Sequence, residues 1–134
     1  MARGKSNFEV KSLYYITHID NLNSILAQGI FSHKAVEDSG MQYTAVYDKE
    51  IVSNRKMKHT PSGKSLWEYS NVYFQARNPM LYRVVLEKGA KDIAVIALYP
   101  QVLQSPGAYI TDGNAANTMT DFYQYKEGIK VISK

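Results

Sequence analysis

Apolar residues fall in short runs along this chain, separated by polar punctuation. Leu13, Tyr14, Tyr15 and Ile16 predict a strand over 12–16. Leu22, Ile25 and Leu26 lie at helical spacing, with Asp20 as N-cap and Gly29 as the left-handed stop, so a helix is expected over 21–28. Residues 33–65 are mostly polar, with a helical piece near 49–58 and a loop over 60–64. Further strands are expected over 72–75, 81–87, 92–98 and 108–111. A short helix starts at Pro100. A helix over 114–123 and a last strand over 129–133 complete the pattern. Residues 1–8 read as a polar arm. The expected class is α+β, a mostly antiparallel, mixed-order sheet with flanking helices. Strict βαβ alternation is missing, and Asp112-Gly113-Asn114 lacks the G-x-G-x-x-G fingerprint, which argues against a Rossmann fold.

Three stretches share one character: an apolar run that ends in small polar residues. They are Tyr15 to Leu22, Asn71 to Tyr82 and Ala108 to Ala116. In the second, Arg77-Asn78-Pro79 interrupts the pattern, because Pro79 removes a backbone donor and pushes Asn78 towards extended geometry. Three such junctions in a chain this short suggest a ligand cleft.

At 134 residues the chain has the length of one domain, and 45% hydrophobic with 21% charged is ordinary globular composition. It has no cysteine, so disulfides, thiolate metal sites and a cysteine nucleophile are excluded. This fits a reducing cytoplasm. No signal core and no membrane-spanning run is present. The net charge of +4 suits a nucleic-acid or nucleotide partner. The 11 tyrosines against 4 phenylalanines and 1 tryptophan suit stacking on flat rings as well as a half-buried core.

Candidate chemistry clusters at the same places. Thr17, His18 and Asn21 lie beside a helix start, where backbone amides favour anions. Local capping is the plainer reading of His18. Arg55, Lys56, Lys58, His59 and Lys64 form the densest basic stretch. They read as a solvated face or as a phosphate clamp, for which the planar Arg fork is suited. Arg77 and Asn78 precede Pro79, where Arg77 could pair with a carboxylate. Thr111, Asp112 and Asn114 read as a turn with a helix cap or as a ligand loop. Met80, Leu81 and Tyr82 are equally readable as core. The three histidines lack zinc spacing, and no nucleophile elbow is present.

Three blocks in order carry a family resemblance. They are Ile16-Thr17-His18-Ile19-Asp20-Asn21-Leu22 with Ile25-Leu26 and Gly29-Ile30, then Val72-Tyr73-Phe74 with Arg77-Asn78-Pro79-Met80-Leu81-Tyr82, then Thr111-Asp112-Gly113-Asn114-Ala115-Ala116 with Thr120 and Phe122. Together they resemble the DarT family of DNA ADP-ribosyltransferase toxins, over most of residues 12–123. The resemblance implies one DarT-like domain over 1–134 with an ADP-ribosyltransferase-like fold. It implies transfer of ADP-ribose from NAD to a thymine or guanine in single-stranded DNA, without a metal, and a macrodomain antitoxin as partner. Thr17, His18, Asn21, Tyr73, Met80 and Tyr82 would contact NAD. Arg55 would assist catalysis. Arg55, Lys56, Lys58, Lys64, Arg77, Asn78, Thr111 and Asn114 would follow the DNA.

Two positions depart from the family pattern. Tyr15 stands where the family often has His. The family's catalytic Glu lies well beyond the third block, in a part of the fold expected to be shortened or missing here. Glu127, before Ile129, Val131 and Ile132, is the substitute candidate, with a surface Glu as the plainer reading. Two other classes stay open: an inactive module that binds single-stranded nucleic acid, and a partner-binding protein that keeps only the fold.

Overall fold

The run Leu13-Tyr14-Tyr15-Ile16-Thr17-His18 forms strand β1 (Leu13–His18), the most deeply buried segment among the described residues. β-branched and aromatic side chains suit a packed, pleated surface. In the computed structural model, residues 10–45, 55–113, 115 and 119–132 are described. They fall into two units, one spanning Leu13–Leu98 and the other built around 99–132.

In the first unit, β1 pairs antiparallel with β2 (Ile93–Leu98), from Leu13 opposite Leu98 to His18 opposite Ile93. On its other edge, Tyr14 exchanges two backbone hydrogen bonds of 2.8 Å with Tyr73. At Tyr14 both edges of β1 are thereby engaged, which helps to satisfy the backbone of a strand sunk in the core. A single 3₁₀ turn (Ile19–Asn21) leads into helix α1 (Leu22–Gln28), which stops at Gly29. Helix α2 (His33–Ser39) follows, with the Ser32 hydroxyl accepting from the Ala35 amide at its start. Helix α3 (Pro79–Lys88) packs against β2. Its Val84 joins Leu13 and Ile16 among the fully buried side chains. Each such aliphatic contributes roughly 1.5–3 kcal/mol by leaving water.

The second unit holds a 3₁₀ segment (Pro100–Gln104) and an antiparallel pair, β3 (Ile110–Thr111) with β4 (Phe122–Tyr123). Helix α4 (Tyr125–Ile132) packs on that pair. A Cβ on Gly128 would lie 2.6 Å from the Ile110 Cβ. The bare glycine is what lets helix and strand approach.

The expected α+β class holds, as do β1, α1, β2, the 3₁₀ segment at Pro100 and β3. Several elements differ. The expected strand 81–87 is α3, because Asn78-Pro79 is a helix start: the Asn78 Oδ1 accepts from the Leu81 amide at 3.0 Å and Pro79 sits where no donor is needed. Leu81, Val84 and Val85 then share one helical face. Over 129–132 the expected strand is helix α4, and the expected helix 114–123 ends in β4, while residues 114, 116–118 and 133 lie outside the described residues. The expected strand 72–75 reduces to the single bridge at Tyr73. Asp20 is inside the 3₁₀ turn rather than capping α1; His18 Nδ1 caps that turn by accepting from the Asp20 amide at 3.0 Å. Helix α2 was not expected. Of the expected helix 49–58, residues 55–58 lie among the described residues, and 55–57 are helical while Lys58 is not. The polar arm 1–8 and Asn114 lie outside the described residues.

Candidate active-site cleft

Two adjoining depressions open on the first unit. The first, of about 350 Å³ and open to solvent, takes its walls from Tyr15 on β1, from Phe31, Ser32, His33 and Val36 at the start of α2, from Tyr43 and Arg55, and from Tyr69, Ser70 and Asn71. The second, of about 310 Å³, shares Tyr15, Phe31, Val36 and Tyr43 with it and reaches Asn21 and Ser24.

Arg55 is the cationic group of the first depression, and it is only 6% exposed. Its Nη2 donates to the Asn71 Oδ1 at 2.8 Å. The planar guanidinium fork, fixed here by Asn71, is of the shape that meets a phosphate. Around it stand five rings: Tyr15, Phe31, His33, Tyr43 and Tyr69. His33 meets Tyr43 edge-on, with centroids 6.4 Å apart. Burial pushes the His33 imidazole below its usual pKa, and the neighbouring Arg55 charge pushes it the same way. The ring is therefore neutral near pH 7. An aromatic cradle around one fixed cation can hold a flat heterocycle that carries phosphate.

The cleft rests on β1 and its connection to α1. Asn21, nearly buried, donates from Nδ2 to Thr17 Oγ1 at 3.1 Å and to the Thr44 carbonyl at 2.7 Å. Thr17 is fully buried. Of the NAD contacts expected from the sequence, Asn21 borders the second depression. Thr17, His18, Tyr73, Met80 and Tyr82 line neither. Tyr82 is 70% exposed on α3.

The basic residues divide. Lys56 and Lys64 are exposed and Lys58 is half-buried, all on the segment that carries Arg55. The Lys56 Nζ sits 4.4 Å from the Trp67 ring centroid. Arg77 is exposed, whereas the Asn78 side chain caps α3 and donates to the Gln75 and Ala76 carbonyls. In the second unit, the Thr111 hydroxyl donates to the Gly113 carbonyl, and Glu127 is exposed in the first turn of α4. Sequence reading did not single out Phe31, His33, Tyr43, Tyr69 or Asn71. The tyrosine excess was the available signal. Among the described residues, no group of three or more His, Cys, Asp or Glu could hold a metal ion.

The comparisons with known proteins agree with this architecture. The structure matches that of Thermosipho africanus DarTG in complex with ADP-ribose, with a TM-score of 0.85 and 44% identity over 92% of this chain and 34% of that one. It matches Thermus sp. 2.9 DarT in complex with ADP-ribosylated ssDNA with a TM-score of 0.75 and 26% identity, over 92% of this chain and 62% of that one. The fold is thus that of DNA-directed ADP-ribosyltransferases. Residues 14–133 match the family model described as "ssDNA thymidine ADP-ribosyltransferase, DarT", and the chain belongs to the DarT family. By sequence it is 45% identical over 118 residues to a DNA ADP-ribosyl transferase–DNA ADP-ribosyl glycohydrolase fusion protein of Thermosipho africanus, covering 87% of this chain and 30% of that protein. It is 34% identical over 79 residues to a DNA ADP-ribosyl transferase of Thermus sp., covering 57% of this chain and 36% of that protein. The chain spans about a third of the length of these curated relatives.

Proposed function

We propose that the cleft binds the ADP-ribose part of NAD and that the chain supplies the NAD- and DNA-binding core of a transferase acting on single-stranded DNA. The observation that carries this reading is the buried Arg55, anchored by Asn71 inside an aromatic cradle, in a chain of the DarT family. In the reaction, the bond between ribose C1 and nicotinamide breaks, and nicotinamide leaves with the electron pair. A bond then forms from C1 to the DNA base, which gives up a proton. Cleavage passes through an oxocarbenium-like state, as in glycoside hydrolysis. Arg55 would hold the negative diphosphate and fix the ribose for in-place transfer. Asn21, backed by Thr17, would line the far end of the cleft. His18, Tyr73, Met80 and Tyr82 remain NAD-side candidates from the family pattern. Lys56, Lys58 and Lys64, with Arg77, would follow the DNA backbone, and Asn78, Thr111 and Asn114 would sit beside it. Thymidine is the favoured base, following the family description. A macrodomain antitoxin is the expected partner, in line with the glycohydrolase fused in a relative. A protein with these substrates would work in the cytoplasm. No described helix is long and apolar enough to cross a membrane.

The exposed position of Glu127 favours a second reading, a module that binds without transferring. A carboxylate in water stabilises a developing cation weakly, because solvent screens it. A label-transfer assay with NAD and mixed-sequence single-stranded DNA separates the two, run beside Arg55→Ala and Glu127→Ala. Transfer abolished by both substitutions supports an enzyme with Glu127 as its acid. DNA binding without transfer, unchanged by Glu127→Ala, supports the binding module.

A further inference from the structure

Tyr69 reaches the cleft from a small structural unit that also carries Arg55. The Ser65 hydroxyl donates to the Lys56 carbonyl at 2.7 Å, and the Leu66 amide donates to the Lys58 carbonyl at 2.9 Å. Ser65 and Glu68 form a capping box around the 3₁₀ turn Leu66–Glu68. This fixes the backbone just before Tyr69, whose amide donates to the Leu66 carbonyl. The other end of the tyrosine is fixed by a different loop segment. Its hydroxyl lies 3.1 Å from Thr60 Oγ1 and 3.3 Å from Ser62 Oγ, and those two oxygens are 2.9 Å apart. In this triangle the Thr60 hydroxyl also donates to the Lys64 carbonyl at 3.3 Å, which leaves its oxygen able to accept from Tyr69.

The loop is built to hold that triangle. The Gly63 amide closes a turn onto the Thr60 carbonyl at 2.8 Å, and the Thr60 amide donates to the Lys64 carbonyl at 2.8 Å. Gly63 has φ +91°, a region that side-chain-bearing residues avoid. Thr60 itself is only 5% exposed and touches neither depression.

We propose that Thr60 is a positioning residue for ligand binding, acting through Tyr69. The inference rests on the cleft being the ADP-ribose site. With its ring clamped at both ends, Tyr69 presents a pre-set face to the ligand. Without the Thr60 hydroxyl that end of the ring loses its shorter contact and is held less tightly, more of its ordering falls to the binding step, and affinity falls while Arg55 stays in place.

The test is calorimetric titration of ADP-ribose into the full chain and into Thr60→Val, Thr60→Ser, Tyr69→Phe and the Thr60→Val/Tyr69→Phe double variant. Thr60→Val should bind about three- to tenfold more weakly, the range set by one neutral hydrogen bond. Thr60→Ser should restore affinity. Tyr69→Phe, which loses the contacts to both Thr60 and Ser62, should weaken binding at least as much as Thr60→Val, and the double variant should be no worse than Tyr69→Phe, because the Thr60–Tyr69 link is already gone there. Equal binding by the unsubstituted chain, Thr60→Val and Tyr69→Phe would overturn the proposal while leaving the cleft assignment intact. Losses that multiply in the double variant would overturn it too. No binding by the unsubstituted chain would overturn the cleft assignment and this inference with it. Should Thr60→Val fail to fold, the half-exposed Tyr69→Phe carries the same comparison.

Discussion

Asn21 grips both backbone groups of Thr44, 23 residues further along the chain: its Nδ2 donates to the carbonyl at 2.7 Å and its Oδ1 accepts from the amide at 2.9 Å. A side-chain amide here does the work of a neighbouring strand. The same Nδ2 reaches Thr17 Oγ1, so one carboxamide ties β1 to the segment around Thr44.

Asn21→Ala should therefore cost about 1–3 kcal/mol, since it leaves buried polar partners unsatisfied. Asn21→Asp should lose at least as much, although it is nearly the same shape. Its carboxylate accepts but cannot donate, so it faces the Thr44 carbonyl with no proton between them. Denaturant unfolding of both variants checks this. An Asn21→Asp variant as stable as the parent chain would refute the donor role.

Arg55 should not be replaceable by Lys. The ammonium keeps the charge but loses the planar fork that meets Asn71 and a phosphate together. Loss of a charged hydrogen bond to the ligand predicts ADP-ribose affinity about ten- to a hundredfold weaker in Arg55→Lys. Titration of the variant decides, with circular dichroism showing that the fold is kept.

His33 should make stability depend on acid pH. Its folded pKa is depressed, first by burial and then by Arg55, so the unfolded chain takes up its proton first. More protons on the unfolded state means that stability falls as pH drops through the unfolded value of about 6.5 and levels off below the folded value. The parent chain should lose more melting temperature between pH 8 and pH 5 than His33→Gln does. Parallel curves for the two would show that His33 contributes nothing.

Gly128→Ala should destabilise the second unit. The new methyl would overlap Ile110 at 2.6 Å, and overpacking costs about 1–3 kcal/mol. The better helix propensity of Ala returns at most about 1 kcal/mol. A melting temperature at or above that of the parent would contradict the close approach of α4 to β3.

Legibility in the sequence varied with the kind of signal. β1 and β2 were readable because each is a short unbroken run of mostly apolar residues rich in β-branched or aromatic side chains. α3 was misread as a strand because Pro79 looked like an interruption, whereas Asn78-Pro79 is a cap followed by a first helical position. α4 was misread for a tertiary reason: only the packing of Gly128 on Ile110 explains a glycine inside that helix. At the site, Arg55 was found from family spacing, and its burial and its Asn71 partner were not foreseeable. Phe31, His33, Tyr43 and Tyr69 come from segments far apart in sequence, and no local pattern marks residues that meet only after folding.

The stacking of Lys56 on Trp67 also gives the protein a built-in optical probe. Trp67 is the chain's 1 tryptophan, so its intrinsic fluorescence arises from the segment that carries Arg55 and Tyr69. A nearby ammonium perturbs indole emission, and a DNA phosphate that draws Lys56 away from the ring would change the signal. The proposed engagement of DNA by this segment can thus be followed in real time without any label on protein or nucleic acid.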